Sequence, residues 1–141
     1  MAAEKEEFPR LLTLRAIGDE RGWLTPVEAG KDIPFEVRRV YFIYGTQDAI
    51  RRGLHAHRDL EQVAVCVAGS CAFLLDDGHH RREVLLDSPT KGLYIGSMVW
   101  REMFNFSSDC VLMVLASRLY DEADYIRDYA DFLKLARQEA I

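Results

Sequence analysis

The sequence predicts an all-β fold, a jelly roll closed by a single C-terminal helix, and three observations carry that expectation. Short runs rich in valine, leucine, isoleucine and aromatic residues recur as far as Ser117, each bounded by glycine, proline, aspartate or serine. The character of the chain changes only at Asp121. Beyond it Tyr125, Ile126, Tyr129, Phe132, Leu133 and Ala136 recur at helical spacing, with carboxylates of Asp121, Glu122 and Asp124 at the positive end. Many short strands followed by one helix point to an antiparallel sandwich or small barrel, here taken as a jelly roll. At 141 residues, 1–141 reads as one domain with a sizeable core.

In chain order, Leu11–Leu14 is the first strand-like piece, followed by a polar break at Gly18–Gly22. Trp23–Val27 resumes as an extended piece, which predicts a hairpin near Gly22, with Pro26 favouring an edge. Val37–Tyr44 is strongly β-prone. In it Arg39, Tyr41 and Ile43 share one face and Val40, Phe42 and Tyr44 the other. A polar loop then delivers the chain to His55 and His57, and Gln62–Ala68 continues as a strand. Cys71–Leu75 and Glu83–Leu86 flank Asp76-Asp77-Gly78, a hairpin signal because Asp-Gly accepts positive φ. Gly92–Gly96, Met98–Trp100 and Arg101–Phe106 follow, and Cys110–Ser117 is apolar on both faces, as for a buried strand.

Composition excludes several classes. The net charge is −5 and no basic stripe stands out to track phosphates, which argues against nucleic-acid binding. Arg51-Arg52 and Arg81-Arg82 are isolated pairs suited to solvated loops. Cys66, Cys71 and Cys110 lie in or beside apolar runs without a CxxC pair and read as buried free thiols of a reducing compartment. The start, Met1–Glu7, is acidic and lacks an apolar signal core, and no stretch is long enough to span a bilayer, so a cytoplasmic location and no membrane partner are expected. His79 and His80 follow the Asp-Gly turn and are expected to be exposed.

The chemistry concentrates in Gly53-Leu54-His55-Ala56-His57. In an extended chain His55 and His57 point the same way, and two imidazoles on one face either hold a metal or move protons near neutral pH. His55-x-His57-x-x-x-Glu61 followed by Gly69 resembles the first cupin motif. The second motif usually supplies another histidine, but the corresponding position, ahead of Glu102-Met103-Phe104-Asn105, is Arg101. A guanidinium stays protonated, has no lone pair to offer and repels a metal, which leaves His55, His57 and Glu61 as the residual ligand set. Without a metal, histidines beside arginines suit an anionic substrate and general-base chemistry.

The chain also resembles the dTDP-4-keto-6-deoxyglucose 3,4-ketoisomerases, sugar-nucleotide enzymes of the cupin superfamily. The resemblance runs from about Arg15 to Tyr129. Among the segments that carry it are Asp32-Ile33-Pro34-Phe35, Arg39-Val40-Tyr41, Arg52–His57, Leu60–Val63, Gly92–Gly96, Val99–Met103 and Tyr120–Arg127. It implies a cupin-type jelly-roll barrel and a carbonyl shift from C4 to C3 of the sugar through an enediol, with no metal and no cofactor. It also implies a homodimer with exchanged N-terminal strands. His55 is then the base, Tyr41 a proton relay, and His57 a residue that orients the sugar or shuttles protons. Arg52 binds the diphosphate or polarises the carbonyl, and Arg39, Gln62, Trp100, Arg21 and Arg101 complete the substrate site. In this family Arg21 and Arg101 match positions that vary with the configuration set at C4. The pair Arg21 with Arg101 matches neither the galacto-forming nor the gluco-forming pattern whole. Three other readings stand beside this one: a sugar-nucleotide-binding cupin module without turnover, a 3,5-epimerase-like enzyme, and a metal-dependent oxygenase.

Overall fold

Alternation of apolar and polar side chains drives two five-stranded antiparallel sheets face to face in the computed structural model, which describes residues 8–47 and 49–138. The segment Met1–Glu7, read above for a signal sequence, lies outside the described residues. The first sheet has β1 (Arg10–Thr13), β9 (Lys91–Ile95), β6 (Gln62–Ala68), β11 (Val111–Ala116) and β4 (Arg39–Ile43) side by side in that order. The second has β12 (Tyr125–Ile126), β5 (Arg52–His57), β10 (Trp100–Phe104), β7 (Cys71–Asp76) and β8 (Arg81–Leu86). A separate hairpin joins β2 (Ile17–Asp19) to β3 (Gly22–Leu24), as the break near Gly22 predicts. The main core lies between the sheets: Phe73, Leu75 and Leu86 of the second meet Ala64, Cys66, Leu93, Ile95 and Leu112 of the first. The jelly roll is thus present as two packed sheets rather than one continuously hydrogen-bonded barrel.

The expected faces of β4 hold. Arg39, Tyr41 and Ile43 turn inward and are half-buried, while Val40 and Phe42 are exposed. The turn after β7 is made by Asp76, Asp77 and Gly78, with Gly78 at φ +94°.

The end of the chain departs from expectation. A helix starting at Asp121 is not what forms. Asp121 caps only a 3-10 turn over Glu122–Asp124, the chain then extends as β12, and the α-helix α1 spans Tyr129–Gln138. The cap it uses is Asp128, whose carboxylate accepts the Asp131 N–H at 2.9 Å. Tertiary pairing overrides helical spacing here: Tyr125 lies opposite His57 and Ile126 opposite Ala56. α1 then covers the outer face of the second sheet with Phe132 and Ala136, against Ala56, Trp100 and Ile126.

Candidate active site

β5 is shaped by a bulge. Arg101 pairs with His55, Glu102 with Gly53 and Met103 with Arg52, so Leu54 is an extra residue on β5. Gly53 and Leu54 take φ +85° and +56°, and a Cβ at Gly53 would meet the Arg101 carbonyl oxygen at 3.0 Å. The bulge changes which residues share a face. Directly opposed residues of an antiparallel pair point to the same side, so Arg52 joins Met103 and His55 on the inner face, where unbroken alternation would send it outward.

The inner face at this end of the sandwich is polar. The His55 and His57 rings meet edge to face, centroids 4.8 Å apart, and Tyr125 packs on both at 4.9 and 4.4 Å. Arg101, 2 % exposed, reaches from the second sheet to the first, where its Nη1 donates to Gln62 Oε1 and its Nη2 to the Val99 carbonyl at 2.9 Å. Gln62 is thereby oriented, and its Nε2 donates to the Tyr41 hydroxyl oxygen at 2.9 Å. That leaves the Tyr41 O–H proton available to donate elsewhere. Arg39 stacks over Tyr41 at 5.3 Å.

Electrostatics follow from burial around a fixed cation. Burial, reinforced by Arg101, pulls His55 down to about 4 and lowers His57 as well, so both are neutral near pH 7. Burial pulls Arg101 itself down to about 10, still protonated at neutral pH. Burial raises Tyr41 against the opposing pull of Arg101, keeping the phenol protonated. His55 Nδ1 lies 2.9 Å from the Gly53 carbonyl oxygen, which can only accept, so that nitrogen carries hydrogen, and His57 Nδ1 lies 3.0 Å from Asp124 Oδ2. The neutral His55 ring therefore keeps its lone pair on Nε2. His57 Nε2, Arg39 Nε and Arg101 Nε are buried polar atoms that find no partner in the protein. Such atoms cost about 1–3 kcal/mol each, and their grouping in one place is a ligand-site signature. A cleft of about 230 Å³ reaches His57 between the turn after β5 and the segment before β12, with Arg39, Arg58, Arg118 and Tyr125 in its wall.

His55, His57, Tyr41, Arg39, Gln62, Arg101 and Arg52 are thus brought to one face. Two predicted residues are not. Trp100 points to the opposite side of β10 from Arg101 and is 4 % exposed, packed against Tyr129 and Phe132 of α1 with its Nε1 donating to Glu102. It is a packing residue beneath the helix, not part of the substrate face. Arg21 sits on the β2–β3 hairpin, exposed and ion-paired with Asp19 at 2.7 Å. The residual metal set also fails to assemble. Glu61 Oε1 accepts a hydrogen bond from the Tyr94 hydroxyl, and His55, His57 and Glu61 form no converging group. Among the described residues only Cys66, Cys71 and Cys110 bring such donor atoms together, all within 4.8 Å, inside the core. Asp124 and Tyr125 escaped the sequence reading because they were assigned to a helix. The signal that could have found them is the second cap, Asp128, which moves the helix start downstream.

A pair of neutral histidines, a protonated tyrosine and a buried arginine thus meet between the two sheets of an all-β sandwich. The chain is similar to known proteins over most of its length. Residues 7–137 match the family model FdtA, described as WxcM-like, C-terminal. The TDP-4-oxo-6-deoxy-α-D-glucose 3,4-oxoisomerase of Aneurinibacillus thermoaerophilus is 54% identical over 125 residues, 89% of this chain and 90% of the relative. A His-to-Asn variant of the QdtA 3,4-ketoisomerase of Thermoanaerobacterium thermosaccharolyticum, solved with TDP-4-keto-6-deoxyglucose, superposes with a TM-score of 0.89. It is 44% identical, with 92% of this chain and 94% of that one covered. The WlaRB TDP-quinovose 3,4-ketoisomerase of Campylobacter jejuni gives a TM-score of 0.87 at 48% identity, covering 91% and 98%. Fold and relatives are those of a sugar-nucleotide ketoisomerase. The chain belongs to the FdtA family of WxcM-like, C-terminal domains.

Proposed function

We propose that the chain converts dTDP-4-keto-6-deoxyglucose to the corresponding 3-keto sugar, with His55 as base and Tyr41 as proton relay. The observation that carries this is the convergence of a neutral His55, its Nε2 unprotonated, with the protonated Tyr41 around the Arg101 guanidinium. The C4 carbonyl acidifies the C3 hydrogen. His55 Nε2 takes that proton, the C3–H pair becomes the C3=C4 double bond, and the carbonyl π pair moves to O4, which gains a proton. In the second half O3–H loses its proton, the C3 carbonyl forms, and C4 takes a proton. No electrons are exchanged with any other molecule. Arg101 stabilises negative charge developing on the enediolate, worth most in this buried setting. Arg39 and Arg52 face the same side and suit the diphosphate.

The working unit in this reading is a homodimer with exchanged N-terminal strands, which supplies a place for Arg21. Ile17, Trp23 and Leu24 of the β2–β3 hairpin are exposed, as are Val40, Phe42 and Tyr44 on or beside edge strand β4. Apolar surface on an open sheet edge calls for a cover, and a second copy supplies one. Among the described residues no helix is long and apolar enough to cross a membrane, consistent with the cytoplasmic location proposed here.

The test is an NMR time course of metal-stripped protein with dTDP-4-keto-6-deoxyglucose in D₂O. A 3-keto product carrying deuterium at C4 is expected, and its couplings give the C4 configuration. Conversion that appears only after Fe or Mn is added overturns the reading.

A further inference from the structure

The proton-transfer scheme uses His55 and Tyr41 and leaves Asp124 unexplained. This carboxylate belongs to the last residue of the 3-10 turn, directly before β12, and spends its acceptors on one corner of the site. Its Oδ2 accepts from His57 Nδ1 at 3.0 Å and its Oδ1 from the Asp59 N–H at 2.8 Å. Its backbone oxygen accepts from the Arg58 N–H at 3.0 Å. His57 is held from the other side as well: its own carbonyl accepts the Met98 N–H at 2.7 Å, and Tyr125, opposite it in the β5–β12 ladder, packs on its ring. At 1 % exposure the ring has little room to turn. An ionised carboxylate only accepts, so the nitrogen facing it must carry hydrogen. The remaining nitrogen, Nε2, is buried and without a partner in the protein.

We propose that Asp124 is a positioning residue that locks His57 as the Nδ1–H tautomer, so that Nε2 is a neutral acceptor at the site. His57 then resembles His55, whose Nδ1 is tied to the Gly53 carbonyl, and the site presents two acceptor nitrogens set by different partners. The acceptor on His57 suits a hydroxyl of the sugar, while the Arg39 and Arg101 donors suit its oxygens. Only this role toward the sugar, with the kcat effect it predicts, rests on the ketoisomerase reading; the tautomer itself does not.

The test uses full-length protein labelled with ¹⁵N in its four histidines. Long-range ¹⁵N–¹H correlation near neutral pH identifies the tautomer of each, and His57→Asn assigns the His57 signals by their loss. The expected wild-type result is a protonated Nδ1 and an unprotonated Nε2 on His57. In Asp124→Asn one carbonyl oxygen must serve both His57 and the Asp59 N–H. The Nε2–H form of His57 is then expected to appear, while the His55 signals stay in place and kcat falls at least about tenfold. An Nε2–H or doubly protonated His57 in the wild type overturns the proposal, and that spectrum decides even if the variant fails to fold. An unchanged tautomer in Asp124→Asn also overturns it, whatever happens to kcat. A wild-type chain that shows the expected tautomer but no turnover leaves this proposal standing and sinks the reaction instead.

Discussion

The two ends of strand β6 make opposite uses of burial. At Gln62 the strand enters a polar corner where Arg101, Tyr41 and the histidines are buried together, and four residues on, at Cys66, it enters an apolar one. There Cys66 Sγ lies 3.5 Å from Cys71 Sγ and 3.8 Å from Cys110 Sγ, among leucine, phenylalanine and valine. At the apolar end burial pushes the Cys110 thiol up to about 12, and contact with Cys66 together with burial raises Cys71. Cys71 and Cys110 thus stay protonated and behave as small hydrophobes, while the contact with Cys71 lowers Cys66. At the polar end the same physics, with a cation added, makes neutral bases of groups that would otherwise titrate near pH 6.5. Burial favours the uncharged form at both ends, and that form is a usable base for an imidazole but an unreactive thiol for Cys71 and Cys110.

The contrast breaks most directly at His55. His55→Asn is expected to lower kcat about 10³-fold with the fold intact, read in the D₂O time course by loss of deuterium at C4. Tyr41→Phe should lower kcat about 10²-fold while leaving KM within a few-fold, since the ring is kept and only the proton is lost. Acid should act on the polar end alone. With His55 at about 4 in the folded chain, kcat/KM is expected to be flat from neutral pH downward and to fall only near pH 4. Stability follows the same group: the folded pKa lies below the unfolded 6.5, so stability is full above pH 6.5 and is lost as pH falls toward 4. The His55 share of that loss is roughly 3 kcal/mol at 1.36 kcal/mol per unit. His57, also lowered, adds to it in the same direction, so urea unfolding at pH 7 and pH 4 should show at least that difference. The smallest effect belongs to the thiol end. Cys66→Ser buries a hydroxyl among apolar groups and should cost about 1–3 kcal/mol of stability with kcat unchanged; a fall in kcat would erase the distinction between the ends.

Much of this was legible beforehand because it depends on local periodicity. Two-residue alternation put Arg39 and Tyr41 on one face and His55 with His57 on one face, and the Asp-Gly pair marked its turn. Arg101, in place of a metal-ligating histidine, already argued for proton chemistry. What failed did so where a residue's surroundings, not its neighbours in sequence, set its role. Trp100 and Arg101 are adjacent, yet the pleat sends one under α1 and the other into the site. Asp121 and Asp128 are both fair helix caps, and the choice between them was made by β12 pairing with β5.

The sequence by itself determined the all-β class, the histidine strand and the ketoisomerase family, because side-chain period and residue type are local properties. Only the tertiary structure decided that the bulge at Gly53 and Leu54 turns Arg52 inward, that Gln62 links Arg101 to Tyr41 across the sheets, and that Asp124 meets His57. Those contacts join elements distant along the chain, and their geometry exists only once the two sheets have packed.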